Sequence, residues 1–311
     1  MKGRMTLGVL FAGLLIAPAW GALQVQSYDD ARNDRFYVGN DKAFLGQSFD
    51  FSGVGNTAGL AGNGTWATMI SPSFFVSAAH YHPGNGASVT FFENNDPSGP
   101  SHTYTVQSGV AMTIDGTQLG LPSDLWLGKL TAPINPADNI DAFPILQLPK
   151  QSDYLNLPIF VYGVPHRVGR NQITAIGNVS EPDINNPTKI TRAMVYEYND
   201  PPPLLIGGDE AYLHGGDSGG PSFISIGGQL ALVGTHYFNS DQTHTDPPAV
   251  NEDYSGDSFV PYYISQLNAR MLQLDPNTTE QVTVVVPEPS GVLLLGLAGV
   301  LLARTRRRRA V

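Results

Sequence analysis

The sequence contains no cysteine and few charged residues. Charged residues make up 14% of the 311 positions, against roughly a quarter in an average globular domain. Without cysteine the chain forms no disulfide bond, so its fold has to depend on packing and on any ions that it binds. Glycine and proline are abundant, with 34 and 24 residues. This composition is typical of a loop-rich all-β protein.

The N-terminus lacks an apolar run of the roughly 20 residues that a membrane-spanning helix needs. Residues 1–22 instead place Lys2 and Arg4 before a short apolar stretch that ends in small residues. This is the arrangement of a secretory signal peptide. Small residues leave three cleavage sites open, after Ala19, Gly21 or Ala22. Export of a chain without disulfides favours a bacterial source.

The C-terminal segment 290–311 is also short of a full membrane span. Prolines at 287 and 289 interrupt the chain, residues 291–303 are apolar, and arginines close the sequence. The apolar part is expected to enter the bilayer while the arginines stay on the cytoplasmic side. The pattern resembles a PEP-CTERM sorting tail, which in that family an exosortase processes at the membrane. We therefore expect a linker over 275–289, a sorting-enzyme partner and a final location at or outside the surface of a Gram-negative cell, with a permanent anchor, a transmembrane helix, as the alternative.

Basic residues are outnumbered, with 17 Lys and Arg against 27 Asp and Glu, and the net charge is −10. Removal of both ends would take most of the clustered arginines away and leave a more acidic protein. Such a surface repels phosphate, so we expect no nucleic-acid partner. The acidic segment 241–257 lacks the regular spacing of a calcium loop and predicts a solvated loop. No cofactor or metal site is expected.

Three segments, in chain order, each carry one residue of a possible nucleophilic site. His80 ends an apolar run that gives way to small residues, and Asp124 opens the alternating run 124–130, which predicts a strand. Ser218 lies in the glycine-dense stretch 215–221, a turn that exposes its side chain and brings N–H groups near a substrate carbonyl. A serine hydroxyl needs a base and an orienting carboxylate, so this set predicts attack on an acyl carbon.

Residues 216–220 also satisfy the G-x-S-x-G elbow of α/β-hydrolases. That elbow requires a helix after the serine and a histidine late in the chain, which His236 or His244 would supply. Pro221 and the β-prone residues 223–226 follow the serine immediately and disfavour a helix. An esterase on that fold is therefore the weaker alternative.

The stretches SAAH, DLWLGKL and GGDSGGP, in this order, resemble those of the trypsin/chymotrypsin family of serine proteases. The resemblance implies an all-β fold of two antiparallel β-barrels of the trypsin-like protease type with a C-terminal helix. Within a protease domain over 23–274, the barrels are expected at about 45–146 and 157–258, and the closing helix at 259–274. The active site would lie in the cleft between the barrels.

The same resemblance assigns roles to individual residues. It makes His80 the general base and then acid, Asp124 its orienting carboxylate and Ser218 the nucleophile, with the N–H groups of Gly216 and Ser218 forming the oxyanion hole. The implied function is an exported serine endopeptidase acting on proteins or peptides. The alternative is a surface or matrix protein that keeps the fold without the activity.

Two departures from the family concern activation and specificity. Residues 37–40 are a weak counterpart of the family's freed N-terminus, and an ordinary strand and turn is the better interpretation. In the family that terminus pairs with the aspartate before the nucleophile, so the partner of Asp217 is left open. An unpaired buried carboxylate is costly, so we expect a partner.

The predicted substrate-binding residues are Tyr212 and His236. Tyr212 stands six residues before the nucleophile, where trypsin-type relatives carry an aspartate, so specificity for basic residues is not expected. His236 is similar to the histidine of glutamate-specific bacterial relatives. It predicts a preference for an acidic side chain on the N-terminal side of the scissile bond, with an ordinary strand histidine as the alternative.

Overall fold

The computed structural model describes residues 21–116, 120–181, 189–198, 206–240 and 253–287. Nearly all of the predicted signal peptide, the predicted sorting tail, His244 and most of the acidic segment lie outside the described residues. Among the residues described, no helix is both long and apolar enough to cross a membrane.

The described part of the chain is mainly β. Its strands are β1 (Gln24–Val25), β2 (Val54–Asn56), β3 (Trp66–Met69), β4 (Phe74–Ala78), β5 (Ser88–Phe92), β6 (Ser101–Thr113), β7 (Pro122–Leu130), β8 (Ile145–Leu146), β9 (Pro158–Gly163), β10 (Arg167–Gln172), β11 (Ala175–Glu181), β12 (Lys189–Glu197), β13 (Ala211–Tyr212), β14 (Pro221–Ile226), β15 (Gln229–Asn239), β16 (Tyr254–Phe259) and β17 (Val284–Val285). Its α-helices are α1 (Asp30–Asn33) and α2 (Ile264–Leu274). The prediction of an all-β protein with a C-terminal helix is confirmed.

The first barrel is a closed antiparallel sheet in the strand order β2-β3-β4-β7-β6-β5. Closure removes free strand edges, which matters in a chain with no disulfide to hold an edge in place. Strands β4 and β7 pair so that Ala78 faces Leu125. This register brings His80, the second residue after the end of β4, beside Asp124 of β7.

The second barrel is built from a sheet in the order β10-β9-β14-β15-β16-β12-β11, with β13 pairing with β1. The sheet curves until β10 meets β12 again, where Asn171 Nδ2 donates to the carbonyl oxygen of Glu197 at 3.0 Å. Asn171 also donates to Ala211 O at 2.9 Å. Two antiparallel barrels are thus present, as predicted, and β8 adds parallel pairings to β15 and β17.

Aromatic side chains fill the space between the barrels. The Phe51 and Tyr162 rings lie 5.2 Å apart, and those of Phe143 and Phe223 lie 4.5 Å apart. All four side chains are buried, and full burial of such a side chain contributes about 1.5–3 kcal/mol. The barrels therefore form one packed body, and the cleft between them is held at a fixed width.

The buried guanidinium of Arg35 joins the N-terminal segment to both barrels. It lies between 2.9 and 3.2 Å from acceptors that belong to Asn95, Phe51, Tyr162, Phe92 and Asn94. Its charge is also close to the face of the Phe36 ring, at 4.8 Å.

The closing helix begins later than predicted. A 3-10 turn occupies Val260–Tyr263, and the α-helix runs only over Ile264–Leu274. Pro261 suits the first turn of a helical segment because it has no N–H to pair. Leu267 and Met271 bury the apolar face of the helix.

The segment 275–287, expected as a linker, instead packs on the protease domain. Glu280 accepts hydrogen bonds from Ser71 Oγ at 2.7 Å and from Ser73 N at 2.9 Å and Ser73 Oγ at 2.6 Å. Farther on, β17 pairs with β8, where Ile145 N donates to Thr283 O at 2.8 Å. The valine-rich end of this segment has β propensity and finds a free strand edge.

Candidate active site

The three residues predicted to form the site come together at the junction of the barrels. His80 Nε2 lies 2.8 Å from Ser218 Oγ, and His80 Nδ1 lies 2.8 Å from Asp124 Oδ2. The backbone N–H of His80 donates to Asp124 Oδ1 at 3.0 Å. These distances are normal hydrogen bonds, so the hydroxyl, the imidazole and the carboxylate form one continuous relay.

Asp124 is fully buried, whereas the His80 side chain is 34% exposed. Burial raises the pKa of Asp124 above its ordinary value, and the hydrogen bonds with His80 act in the opposite direction. The backbone N–H of Asp124 donates to Thr191 Oγ1 of the second barrel at 2.8 Å. The backbone of Asp124 is therefore anchored to the second barrel, and its carboxylate holds the His80 imidazole in place.

Two glycines with positive φ shape the turn that carries Ser218. Gly216 has a φ of 108° and Gly219 a φ of 85°, values that L side chains rarely adopt. A Cβ on Gly219 would also come within 2.6 Å of Ser77 Oγ. Backbone conformation thus explains the glycine at both positions. At Gly219 the close approach of the first barrel is a second reason.

Neighbouring groups hold this turn from several sides. The indole Nε1–H of Trp66 donates to Gly216 O at 3.2 Å. The N–H of Gly219 donates to His236 O at 2.9 Å, and the N–H of His236 donates to Gly220 O at 2.8 Å. Among the hydrogen bonds of the described residues, none uses the N–H of Gly216 or of Ser218. Their role as oxyanion-hole donors, which the resemblance implies, stays a prediction.

The question left open at Asp217 is answered by two backbone amides. Its Oδ1 accepts from Val164 N at 2.7 Å, and its Oδ2 accepts from His214 N at 2.7 Å. Burial raises the pKa of this carboxyl group to about 6, while the two N–H donors and the nearby charges of His236 and Arg167 favour the ionised form. The segment before the nucleophile is therefore held by the chain's own N–H groups.

The two predicted substrate-binding residues are both buried. Tyr212 lies in β13, and its hydroxyl is 3.2 Å from Ser240 Oγ. The His236 ring is fully buried, with Nδ1 at 2.8 Å from Asp257 Oδ1 and Nε2 at 3.1 Å from Tyr162 O. Burial lowers the pKa of His236, but the Asp257 carboxylate beside the ring has the opposite and larger effect, so the pKa is raised. Neither ring nitrogen faces the cleft, which corresponds to the alternative of an ordinary strand histidine.

Several residues around the site were not found from the sequence. They are Trp66 under Gly216, Thr191 behind Asp124, and the residues Tyr237, Phe238 and Asn239 that line a cavity beside Ser218. The aromatic pair directly after His236 was a usable signal for a pocket wall. Trp66 and Thr191 act from other strands, and nothing in their local sequence indicates it.

Residues 37–40 were named above as a weak counterpart of a freed N-terminus. The first three of them line a separate groove of about 780 Å³. None of the three residues of the relay lines this groove. Across the described ranges there is no cluster of three or more His, Cys, Asp or Glu side chains placed to hold a metal ion.

Comparison with known proteins agrees with this geometry. A search of the curated proteins found no match. The family model named Trypsin matches residues 47–258, which is more than half of the chain and includes His80, Asp124 and Ser218. The chain therefore belongs to the trypsin family of serine proteases.

Proposed function

We propose that this protein is a serine endopeptidase that forms an acyl-enzyme on Ser218. The observation that carries the proposal is the unbroken relay from Asp124 through His80 to Ser218, with both side-chain separations at 2.8 Å. Membership of the family provides the reaction class, a serine peptidase acting on proteins or peptides. The residue roles below are our assignment.

In the first half-reaction, His80 Nε2 takes the proton of Ser218 Oγ as the oxygen attacks the scissile carbonyl carbon. The imidazolium that forms is stabilised by the Asp124 carboxylate at Nδ1. The carbonyl oxygen becomes an oxyanion and moves toward the N–H groups of Gly216 and Ser218. His80 then gives its proton to the leaving amine, and the acyl group stays on Ser218.

In the second half-reaction, water replaces the amine. His80 removes a proton from it, the resulting hydroxide attacks the acyl carbon, and Ser218 leaves with the proton returned by His80. Typical contributions are about 10²–10⁴-fold for the base and about 10²–10³-fold for each oxyanion donor.

A preference for acidic side chains is not part of this proposal. It required the His236 ring to face substrate, and both ring nitrogens are bonded to protein groups in the buried strand region. The alternative of a catalytically silent fold is disfavoured because the relay, the turn and the two amides are all in place.

A fluorophosphonate probe tests the proposal directly, since it reacts only with an activated serine. The full-length chain should be labelled, and the label should disappear in Ser218→Ala. Ser225→Ala, which removes a hydroxyl from the strand that follows the turn, should be labelled like the wild type. Absence of labelling and of peptide cleavage in the folded wild type would support the silent fold instead.

We also propose that the protein is exported and then sorted through its tail. The support is the sequence of residues 1–22 and 290–311, which resemble a signal peptide and a PEP-CTERM tail. Intact-mass measurement of protein from the native host reads both termini at once. Masses that retain residues 1–22 would contradict export, and masses that retain 290–311 would favour a permanent anchor over processing.

A further inference from the structure

A very small cavity lies directly beside the nucleophile. Its lining residues come from the segment before the turn and from β15: Leu213, His214, Gly215, Ser218, His236, Tyr237, Phe238 and Asn239. Its volume is about 20 Å³, which is room for about one water molecule.

The position of this cavity decides which part of a substrate it receives. When a scissile carbonyl carbon lies over Ser218 Oγ and its oxygen faces the N–H of Gly216, the residue that owns this carbonyl is next to the lining segments. We place its side chain in this cavity, because Gly215 and Tyr237 line the cavity beside Ser218. This step rests on the proposed function, because it assumes that Ser218 attacks the carbonyl.

Two contacts keep the cavity narrow. Asn239 Nδ2 donates to Leu213 O at 2.7 Å, so the Asn239 side chain crosses from one wall to the other. The Phe238 ring packs against the backbone of Gly256, where a Cβ would come within 2.3 Å of ring atoms. The cavity therefore cannot deepen without moving one of these side chains.

The described lining of the cavity offers no acidic side chain and no lysine or arginine as a counter-charge. Its two lining histidines are bonded to protein groups, with His236 Nδ1 at 2.8 Å from Asp257 Oδ1 and His214 Nε2 at 2.8 Å from Gln24 Oε1. A charged substrate side chain would lose its hydration there without an opposite charge in exchange, which is strongly unfavourable.

We propose that the enzyme cleaves after small, uncharged residues, namely glycine, alanine and serine, and that Asn239 is a specificity-determining residue. A larger side chain has to displace the bridge from Asn239 to Leu213 or the Phe238 ring. Forcing extra methylenes into a filled site corresponds to about 10–200-fold in the specificity constant. We therefore expect alanine to exceed leucine by about 100-fold in kcat/KM.

The test uses the full-length chain and internally quenched peptides that differ only in the residue before the scissile bond: Gly, Ala, Ser, Leu, Phe, Glu and Lys. Two variants accompany the wild type. Asn239→Gly removes the bridge and should raise the leucine-to-alanine ratio of kcat/KM about 10-fold or more. Asn277→Gly, at an exposed position far along the chain, should leave this ratio unchanged.

Fluorophosphonate labelling of Ser218 is measured on the same samples and separates the possible results. Labelled wild type that prefers Leu, Phe, Glu or Lys overturns this inference and leaves the proposed function standing. Unlabelled, inactive wild type overturns the proposed function, and this inference with it. If Asn239→Gly does not fold, the alanine-to-leucine ratio of kcat/KM measured for the wild type still tests the preference for small residues.

Discussion

The buried carboxyl group of Asp217 gives a quantitative test of how the nucleophile turn is held. Its pKa is raised from an ordinary value of 3.8 to about 6 in the folded protein. A folded-state pKa above the unfolded value means that the folded protein binds the proton more tightly, so this group stabilises the fold below about pH 4 and loses that contribution as pH rises through 6. The difference in pKa corresponds to about 3 kcal/mol.

The perturbation is Asp217→Asn, which removes the titration. When the pH is lowered from 7 to 4.5, the wild type should gain about 2 kcal/mol of folding stability from protonation of Asp217, and the variant should not. The variant is also less stable at every pH, because one amide oxygen cannot accept from both Val164 N and His214 N. The assay is urea unfolding of both proteins at the two pH values, and the measured quantity is the change in their difference.

His166 provides a control of opposite sign. Burial lowers its pKa from 6.5 to about 3, and its ring nitrogens are bonded to Tyr162 OH and Gly59 O. The stability that follows from this lowered pKa is present above about pH 6.5 and is lost as pH falls toward 3. On going from pH 7 to pH 4.5, the wild type should therefore lose about 2.5 kcal/mol of folding stability that His166→Gln does not lose.

Comparing each variant with the wild type cancels the contribution of every titrating group that the two proteins share. If the stability difference between Asp217→Asn and the wild type changes by less than about 0.5 kcal/mol between pH 7 and pH 4.5, Asp217 does not have the raised pKa. The argument that a desolvated carboxylate is held only by backbone amides would then be wrong.

Two further predictions concern the relay and the C-terminal segment. Asp124→Asn should lower kcat by about 10³–10⁴-fold with little change in KM, because a neutral amide cannot stabilise the His80 imidazolium. Steady-state kinetics on a peptide that the enzyme cleaves measures both constants. A loss of kcat below about 10-fold would contradict the role of Asp124 in the relay. Glu280→Gln should lower the free energy of unfolding by about 1–2 kcal/mol, because an NH₂ group would face the donors of Ser71 and Ser73; urea unfolding measures this, the exposed Thr279→Ala is the control, and equal losses in both variants would contradict the role of Glu280.

The residues that meet at Ser218 could be predicted because each is surrounded by its own local pattern. A histidine after small residues, an aspartate at a strand mouth and a serine among glycines all have signatures within about ten positions. The all-β class followed from composition and from short runs of β-prone residues in the same way. Local sequence therefore sufficed to mark the three residues and the all-β class, whereas the two-barrel arrangement and the residue roles followed from the resemblance to the family.

The surroundings of the relay depend on partners that are distant in the sequence. His236 was expected to face substrate, but Asp257 on the neighbouring strand binds its ring inside the protein. The segment after α2 was expected as a linker, but Glu280 finds Ser71 and Ser73 about 200 residues earlier. Asp217 is held by backbone N–H groups, and these leave no mark in a sequence because nearly every residue has one.

The amides at Asp217 have a consequence for how such an enzyme is controlled. A carboxylate already satisfied inside its own chain leaves no vacancy that a newly cut end of the polypeptide would need to fill. We therefore expect the proposed peptidase to need no cleaved N-terminus in order to become active. Under the export proposed above, the place of folding would then control the activity, because the chain would fold only after it has crossed the membrane.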